Sequence, residues 1–223
     1  MELQQAMEMR HSVRRYTDRK IEGEVLERLQ QAIAEANRDS GLNIQLCLNE
    51  PDAFSGAMAR YGKFHNAVNY LAFTGKKDRD LDEKCGYYGE KIVLRAQQLG
   101  LNTCWVAASY SKGKSAAVIK PGEKLLLVIS IGYGENNGVA RKTKTTAQLC
   151  RTDGTMPEWF LRGVQAAQLA PTAMNQQKFR FELDGQTVKA VASLGPYTKV
   201  DLGIAKYHFE LGAGEAAEWQ WAD

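Results

Sequence analysis

The sequence predicts an α+β fold: a mainly antiparallel sheet flanked by helices, with an internal duplication. Three observations carry that expectation. Some segments repeat apolar residues at helical spacing, others alternate apolar with polar residues, and one helix–loop–strand pattern occurs twice.

Taken in order, residues 1–9 form a short helix leading into the basic segment Arg10–Arg15. A clearer helix runs from about Glu24 to Asn37, with Val25, Leu29, Ala32, Ile33 and Ala36 on one face, and breaks at Arg38-Asp39-Ser40-Gly41. Leu42, Ile44, Leu46 and Leu48 then alternate with Asn43, Gln45, Cys47 and Asn49, the period of a half-buried strand. Ala67–Thr74 reads as a second strand. From about Leu81 to Leu99 the period is helical again, and Gly100 is a natural stop. Asn102–Ala107 and Lys124–Ile131 read as strands; the latter is almost continuously apolar and is expected at the centre of a sheet. A loop rich in Gly, Asn, Lys and Thr covers Gly132–Thr146. Thr155 and Pro157 look like the N-cap and first-turn proline of a helix through about Leu169. Phe179, Phe181 and Leu183 alternate, Asp184-Gly185 signals a hairpin, and Thr187–Ala192 is its partner strand. A last helix is expected from about Val200 to Leu211.

The chain of 223 residues suffices for one core or for two small lobes. Its net charge of +3 comes from Lys and Arg scattered among nearly as many Asp and Glu. That pattern describes a solvated surface rather than a nucleic-acid face. Residues 1–9 lack the apolar stretch of a secretion signal, and the longest apolar run, Leu125–Ile131, is far short of the ~20 residues of a membrane helix. A cytoplasmic protein without membrane or nucleic-acid partners is expected. Cys47, Cys85, Cys104 and Cys150 form no CxxC, and His11, His65 and His208 are far apart, so reduced structural thiols and no metal are expected.

A shift of 135 residues aligns two segments without a gap. Leu26 meets Leu161, Leu29 meets Val164, Gln30 meets Gln165 and Ala32 meets Ala167; later Ile44 meets Phe179, Leu46 meets Phe181 and Leu48 meets Leu183. The shared loop length and unbroken register favour a duplication, with a first half over 1–150 and a second, smaller half over 151–223. The two loops differ in chemistry. The first reads Ala36-Asn37-Arg38-Asp39-Ser40; the second, Pro171-Thr172-Ala173-Met174-Asn175-Gln176-Gln177, is polar and starts with proline, as a ligand loop would. One working site in two related halves is expected.

Four groups of residues carry candidate chemistry. In an extended Arg10-His11-Ser12-Val13-Arg14 segment, Arg10, Ser12 and Arg14 point to one side, where two guanidiniums and a hydroxyl can grip a phosphate or a polar ring edge. In the loop 170–177, Thr172, Asn175 and Gln177 offer donors and acceptors. The turn Leu99-Gly100-Leu101-Asn102-Thr103-Cys104-Trp105 runs a helix end into a strand, and Arg141, Lys142 and Lys144 follow the apolar strand. Each alone is also what a solvated stretch, a helix-ending turn or a core strand would show.

Together they resemble the nitroreductase family of FMN enzymes. RHSVRRY resembles that family's Arg-x-Ser-x-Arg/Lys segment, LGLNTCW its Gly-Leu-Gly-Thr-Cys-Trp turn, ARKTK its late basic pair, and APTAMNQQKF its Ala-Pro-Ser-x-x-Asn-x-Gln-Pro-Trp loop. Asn102 stands where the family has its second glycine, and Lys178-Phe179 where it has Pro-Trp. In most of the family the proline loop lies early in the chain and reaches the partner subunit's FMN; here it comes 135 residues later. The resemblance is to a branch in which one chain mimics the usual homodimer, as a monomer or still as a homodimer. It implies FMN as cofactor, with Arg10, His11, Ser12, Arg14, Thr103, Trp105, Arg141, Lys142, Lys144, Pro171, Thr172, Asn175 and Gln177 around it. Arg14 is the residue that would stabilise charge on the reduced ring. A mid-chain basic contact to the ring is left open among Lys63, Lys76 and Lys77. NADH or NADPH would be the electron donor and a small nitroaromatic or quinone the acceptor. A flavin-binding sensor or carrier without efficient turnover is the alternative.

Overall fold

The helical and alternating segments fold close to their expected bounds. A computed structural model of the chain describes residues 1–214 and 218–222. The chain divides into two compact units, Met1–Leu81 with Lys91–Ala140, and Asp82–Glu90 with Arg141–Asp223. The boundary expected after residue 150 lies inside the second unit, within the short strand Cys150–Thr152.

The first unit holds α1 (Leu3–Met9), α2 (Gly23–Ser40), β1 (Asn43–Cys47), α3 (Ala57–Tyr61), β2 (Tyr70–Lys76), the C-terminal half of α4 (Leu81–Gln98), β3 (Asn102–Val106) and β4 (Glu123–Gly132). Its strands are ordered β1-β2-β4-β3, and every pairing is antiparallel. The apolar strand β4 is central, as its composition requires. Helix α2 runs three residues past its expected end. Ser40 stays helical because its hydroxyl donates to Ala36 O at 2.6 Å, and the break comes at Gly41, which takes the left-handed φ of 70°. Asn37 then fixes the following strand: its side chain accepts from Ile44 N at 2.7 Å and donates to Ile44 O at 2.9 Å.

The second unit holds the N-terminal half of α4, then α5 (Thr146–Leu149), β5 (Cys150–Thr152), α6 (Glu158–Ala167), β6 (Phe179–Asp184), β7 (Thr187–Ala192), α7 (Thr198–Ala213) and β8 (Gln220–Trp221). Its sheet is ordered β5-β6-β7-β8. The expected hairpin joins β6 to β7 through Gly185 at φ 58°, while β5 and β8 add parallel edges. Phe179, Phe181 and Leu183 are buried, and Phe181 packs on Phe209 of α7 with ring centroids 4.6 Å apart. Helix α6 starts later than expected: Pro157, not Thr155, is the N-cap, in extended conformation without a side-chain cap. Under the 135-residue shift, Gly23 and Glu158 coincide as helix starts. The loops between helix and strand do not match, because α6 stops at Ala167 and leaves residues 168–178 to the loop, whereas α2 continues to Ser40. All four cysteines are buried and free, as expected.

Helix α7 organises the second unit. A Cβ at Gly86 of α4 would lie 2.0 Å from Val200 O, and one at Gly203 would lie 2.1 Å from Glu83 O. The two backbones touch, and only glycine permits it. Further along, a Cβ at Gly212 would lie 2.5 Å from Arg162 O in α6. Between these crossings the buried His208 ring meets Glu90 Oε1 at 2.9 Å and Ala166 O at 3.2 Å. Backbone cannot yield as a side chain can, so Gly203→Ala should lower the unfolding free energy by about 1–3 kcal/mol or more, read as a fall in the urea midpoint. Gly113→Ala, with nothing within 4 Å of its added methyl, should leave the midpoint where it is.

Candidate functional site

In the first unit the basic segment leaves α1 as extended chain. Arg10 ends the helix, its N–H donating to Ala6 O at 3.0 Å. Ser12 then bridges Thr103 of β3, and Val13 N–H donates to Thr103 O at 3.0 Å. Arg15 bridges His65; Tyr16 N–H donates to His65 O at 3.1 Å, and His65 N–H to Arg14 O at 2.9 Å. The segment is thus stitched along two neighbours through its backbone.

Its side chains sort accordingly. Val13 and Tyr16 are buried, His11 and Ser12 half-buried, Arg14 and Arg15 exposed. Arg10 is not on an open face with Arg14 but buried, at 2% exposure. Arg10, Ser12 and Arg14 nevertheless all act electrostatically on one buried group, the Cys104 thiol. Burial pushes that thiol up, while Arg14, the Ser12 hydroxyl and Arg10 pull it the other way. Thr103 is buried, and Trp105 is half-buried against Phe73, ring centroids 5.9 Å apart. His11 Nδ1 lies 2.9 Å from Met9 O, and the His11 Cβ fills the space beside Gly138, where an added Cβ would come to 2.7 Å. Asn102, in place of the family's glycine, accepts from Gly134 N at 2.9 Å and so holds the loop after β4. Of the three lysines left open, Lys63 precedes His65 in the turn beside Arg14, whereas Lys76 pairs with Glu123 at the other end of β2 and Lys77 follows it.

In the second unit the late basic residues and the proline loop meet. Gln177 is buried and binds the 142–144 stretch from both ends of its amide: Oε1 accepts from Lys144 N at 2.8 Å, and Nε2 donates to Lys142 O at 3.1 Å. Asn175 donates to Lys142 O at 2.8 Å, and the Thr172 hydroxyl accepts from Gln177 N at 3.0 Å. The Lys144 ammonium donates to Gln177 O at 2.7 Å, and Arg141 donates to Gln168 O at 3.2 Å. Pro171 is buried, whereas Lys142 is exposed. The polar groups expected to face a ligand therefore bind one another first.

Sequence reasoning missed the carboxylate beneath this loop. Asp201, in the first turns of α7 and 2% exposed, accepts from Ala173 N at 2.9 Å and from Gln176 Nε2 at 2.8 Å. Burial pushes its pKa from 3.8 up to about 6, against those two hydrogen bonds. Between pH 4 and 6 the folded state therefore holds a proton that the unfolded chain has lost. Its contribution to stability is complete below about pH 4 and is lost as pH rises through 6. Over that window the wild type should lose up to roughly 3 kcal/mol through this group. Asp201→Asn should flatten the slope of urea stability between pH 4 and 7; an unchanged slope would refute the assignment.

A nitroreductase family profile, described as "Putative TM nitroreductase", matches residues 2–213. No curated protein sequence matches the chain. Among solved structures, a "putative nitroreductase" of Thermotoga maritima MSB8 is similar at a TM-score of 0.63 and 23% identity, over 95% of this chain and 83% of that one. A "putative nitroreductase" of Desulfovibrio desulfuricans is similar at 0.51 and 18%, over 67% of this chain and 95% of that one. A protein of Parabacteroides distasonis ATCC 8503 is similar at 0.50 and 19%, over 65% and 96%. The profile runs from α1 to the end of α7 and takes in both the basic segment and the proline loop, so the chain belongs to the nitroreductase family.

Proposed function

We propose that the protein is an FMN-dependent oxidoreductase, taking electrons from NADH or NADPH and passing them to a small acceptor such as a nitroaromatic or a quinone. Family membership over residues 2–213 carries the reading. It is supported by the Desulfovibrio relative, described in complex with FMN, and by the Parabacteroides relative, described as an NADH dehydrogenase/NAD(P)H nitroreductase. The donor set also fits. Ser12 and Arg14 offer a hydroxyl and an exposed guanidinium from one backbone-fixed strand, which suits an anionic ligand with a planar acceptor edge.

When bound, FMN supplies the electron transfer between donor and acceptor. The chain's part is to bind it, orient it and offset its charge. In the first unit Arg10, Ser12 and Arg14 are the proposed contacts, with His11, Thr103 and Trp105 shaping their surroundings. Arg14 would offer its cation to offset the negative charge of the reduced cofactor, which would favour reduction. In the second unit Lys142 is the proposed phosphate contact. Pro171, Thr172 and Asn175 present the loop, and Arg141, Lys144 and Gln177 brace it through the bonds described above. A flavin-binding protein without efficient turnover is the second reading. It is favoured by the mutual hydrogen bonding of Asn175, Gln177 and Lys144.

The purified protein supplied with FMN should show a bound-flavin absorption spectrum that bleaches on anaerobic addition of NADH or NADPH. Flavin that binds but stays oxidised would favour the second reading, and no binding would refute both. Arg14→Ala should weaken FMN binding about tenfold or more, ~1.4 kcal/mol, and slow the bleaching. Unchanged affinity and rate would remove Arg14 from its role.

A further inference from the structure

The strand that carries Ser12 and Arg14 is held by an interaction that no sequence motif announces. The buried Tyr16 hydroxyl donates to Val13 O at 2.7 Å, turning back three residues along its own strand. It also shares a hydrogen bond with Ser130 Oγ in β4 at 2.8 Å. Val13 N–H is already bound to Thr103 O. Both backbone polar groups of Val13 are thereby fixed inward, together with its buried side chain. Its neighbours Ser12 and Arg14 are left to project from the other side of an immobilised peptide. Burial raises the Tyr16 phenol far above its ordinary value, with Cys104 adding to the rise, so the hydroxyl keeps its proton and remains a donor at any working pH. The ring is seated against Gly132, where an added Cβ would come 2.9 Å from Tyr16 Cδ1.

We propose that Tyr16 is a positioning residue for the flavin: through its hydrogen bond to the Val13 carbonyl it sets the direction in which Ser12 and Arg14 present their donors. The proposal rests on the FMN reading above. Tyr16 touches no ligand itself. It acts by removing the freedom of the Val13 peptide, which would otherwise rotate and carry the Arg14 guanidinium with it. An arginine that samples several positions offsets developing charge less well than one held in place.

The test is the FMN dissociation constant, together with the midpoint potential of bound FMN, for wild type, Arg14→Ala, Tyr16→Phe and Ser130→Ala, at a temperature where all are folded by circular dichroism. Tyr16→Phe keeps the ring and loses the hydroxyl. It should weaken FMN binding at least fivefold and move the potential in the same negative direction as Arg14→Ala. Ser130→Ala leaves the bond to Val13 O and should stay within twofold of wild type. If Tyr16→Phe does not fold, Gly132→Ala serves in its place: the added methyl pushes the ring and its hydroxyl away from Val13 O, and the same two shifts are expected. A purely structural role would lower the melting temperature and leave affinity and potential alone, which overturns the proposal. So would Ser130→Ala matching Tyr16→Phe. Wild type that binds no FMN refutes the flavin reading and this proposal with it; wild type that binds, with unshifted Tyr16→Phe and Gly132→Ala, refutes the proposal alone.

Discussion

The second unit depends on how closely α7 approaches its neighbours. At Gly86 and Gly203 two helix backbones meet with no side chain between them. Such contact fixes position sharply, because backbone cannot repack as a side chain can. The buried Glu90–His208 pair adds direction to that contact. Two groups of opposite formal type, removed from water, are tolerated only in good geometry, and their pairing selects one register of α7 against α4. His208 also reaches Ala166 O, so one side chain ties α7 to both helices that flank it. Asp201, two residues before Gly203, inherits its position from this crossing, and the loop from Pro171 to Gln177 inherits its position from Asp201.

The first unit solves a similar problem with strands. A basic segment has every electrostatic reason to wander in solvent. Here it is stitched by backbone hydrogen bonds to Thr103 on one stretch and to His65 on the next. Arg15 is further held by Glu135 at 2.8 Å, a half-exposed pair of small energetic weight. The larger effect is the burial of Val13 and Tyr16, which turns a mobile cationic tail into a fixed edge. The two candidate groups thus differ in kind. In the first unit the backbone is consumed and side chains project. In the second the side chains of Thr172, Asn175 and Gln177 are themselves the fasteners.

Periodicity made the long elements legible. Helices α2, α4 and α7 and strands β1, β4, β6 and β7 were readable because each is long enough for its apolar pattern to register, in β4 as a continuous run buried on both faces. The four-residue α5, the five-residue α3, the three-residue β5 and the two-residue β8 are too short for a period to register. Their existence is decided by tertiary pairing, as with Cys150 opposite Phe181 and Trp221 opposite Val188. The N-cap of α6 was misjudged because proline's fixed φ suits the N-cap position as well as the first turn, and spacing cannot separate the two. Among site residues, the motifs pointed to Arg10, Ser12, Arg14, Asn175 and Gln177 by type and order. They could not reveal that Arg10 is buried, nor that Lys144 donates to Gln177. They were silent on Asp201 and Ser130, which lie in a helix and a strand whose patterns mark them only as polar interruptions.

The loop from Thr172 to Gln177 is where local preference and native structure disagree most. Met174, Asn175 and Gln177 all adopt left-handed φ, at 50°, 55° and 46°, without a glycine among them. Asparagine tolerates that region; for methionine and glutamine it is disfavoured. Conformations of this kind cost on the order of 1–3 kcal/mol each and persist only when their surroundings over-determine them. The surroundings do so. Asp201 accepts from Ala173 N and Gln176 Nε2, the Thr172 hydroxyl accepts from Gln177 N, the Gln177 amide donates to Asn175 O at 3.3 Å, and Gln176 donates to Pro196 O at 2.9 Å. Elsewhere the chain reaches the same region both with glycine, at Gly41, Gly100 and Gly185, and without it, at Lys63 and Tyr197. The same loop leaves Met174 fully exposed at its tip. Held strain and a buried carboxylate beneath it together describe a segment whose shape is imposed by its surroundings rather than by local preference.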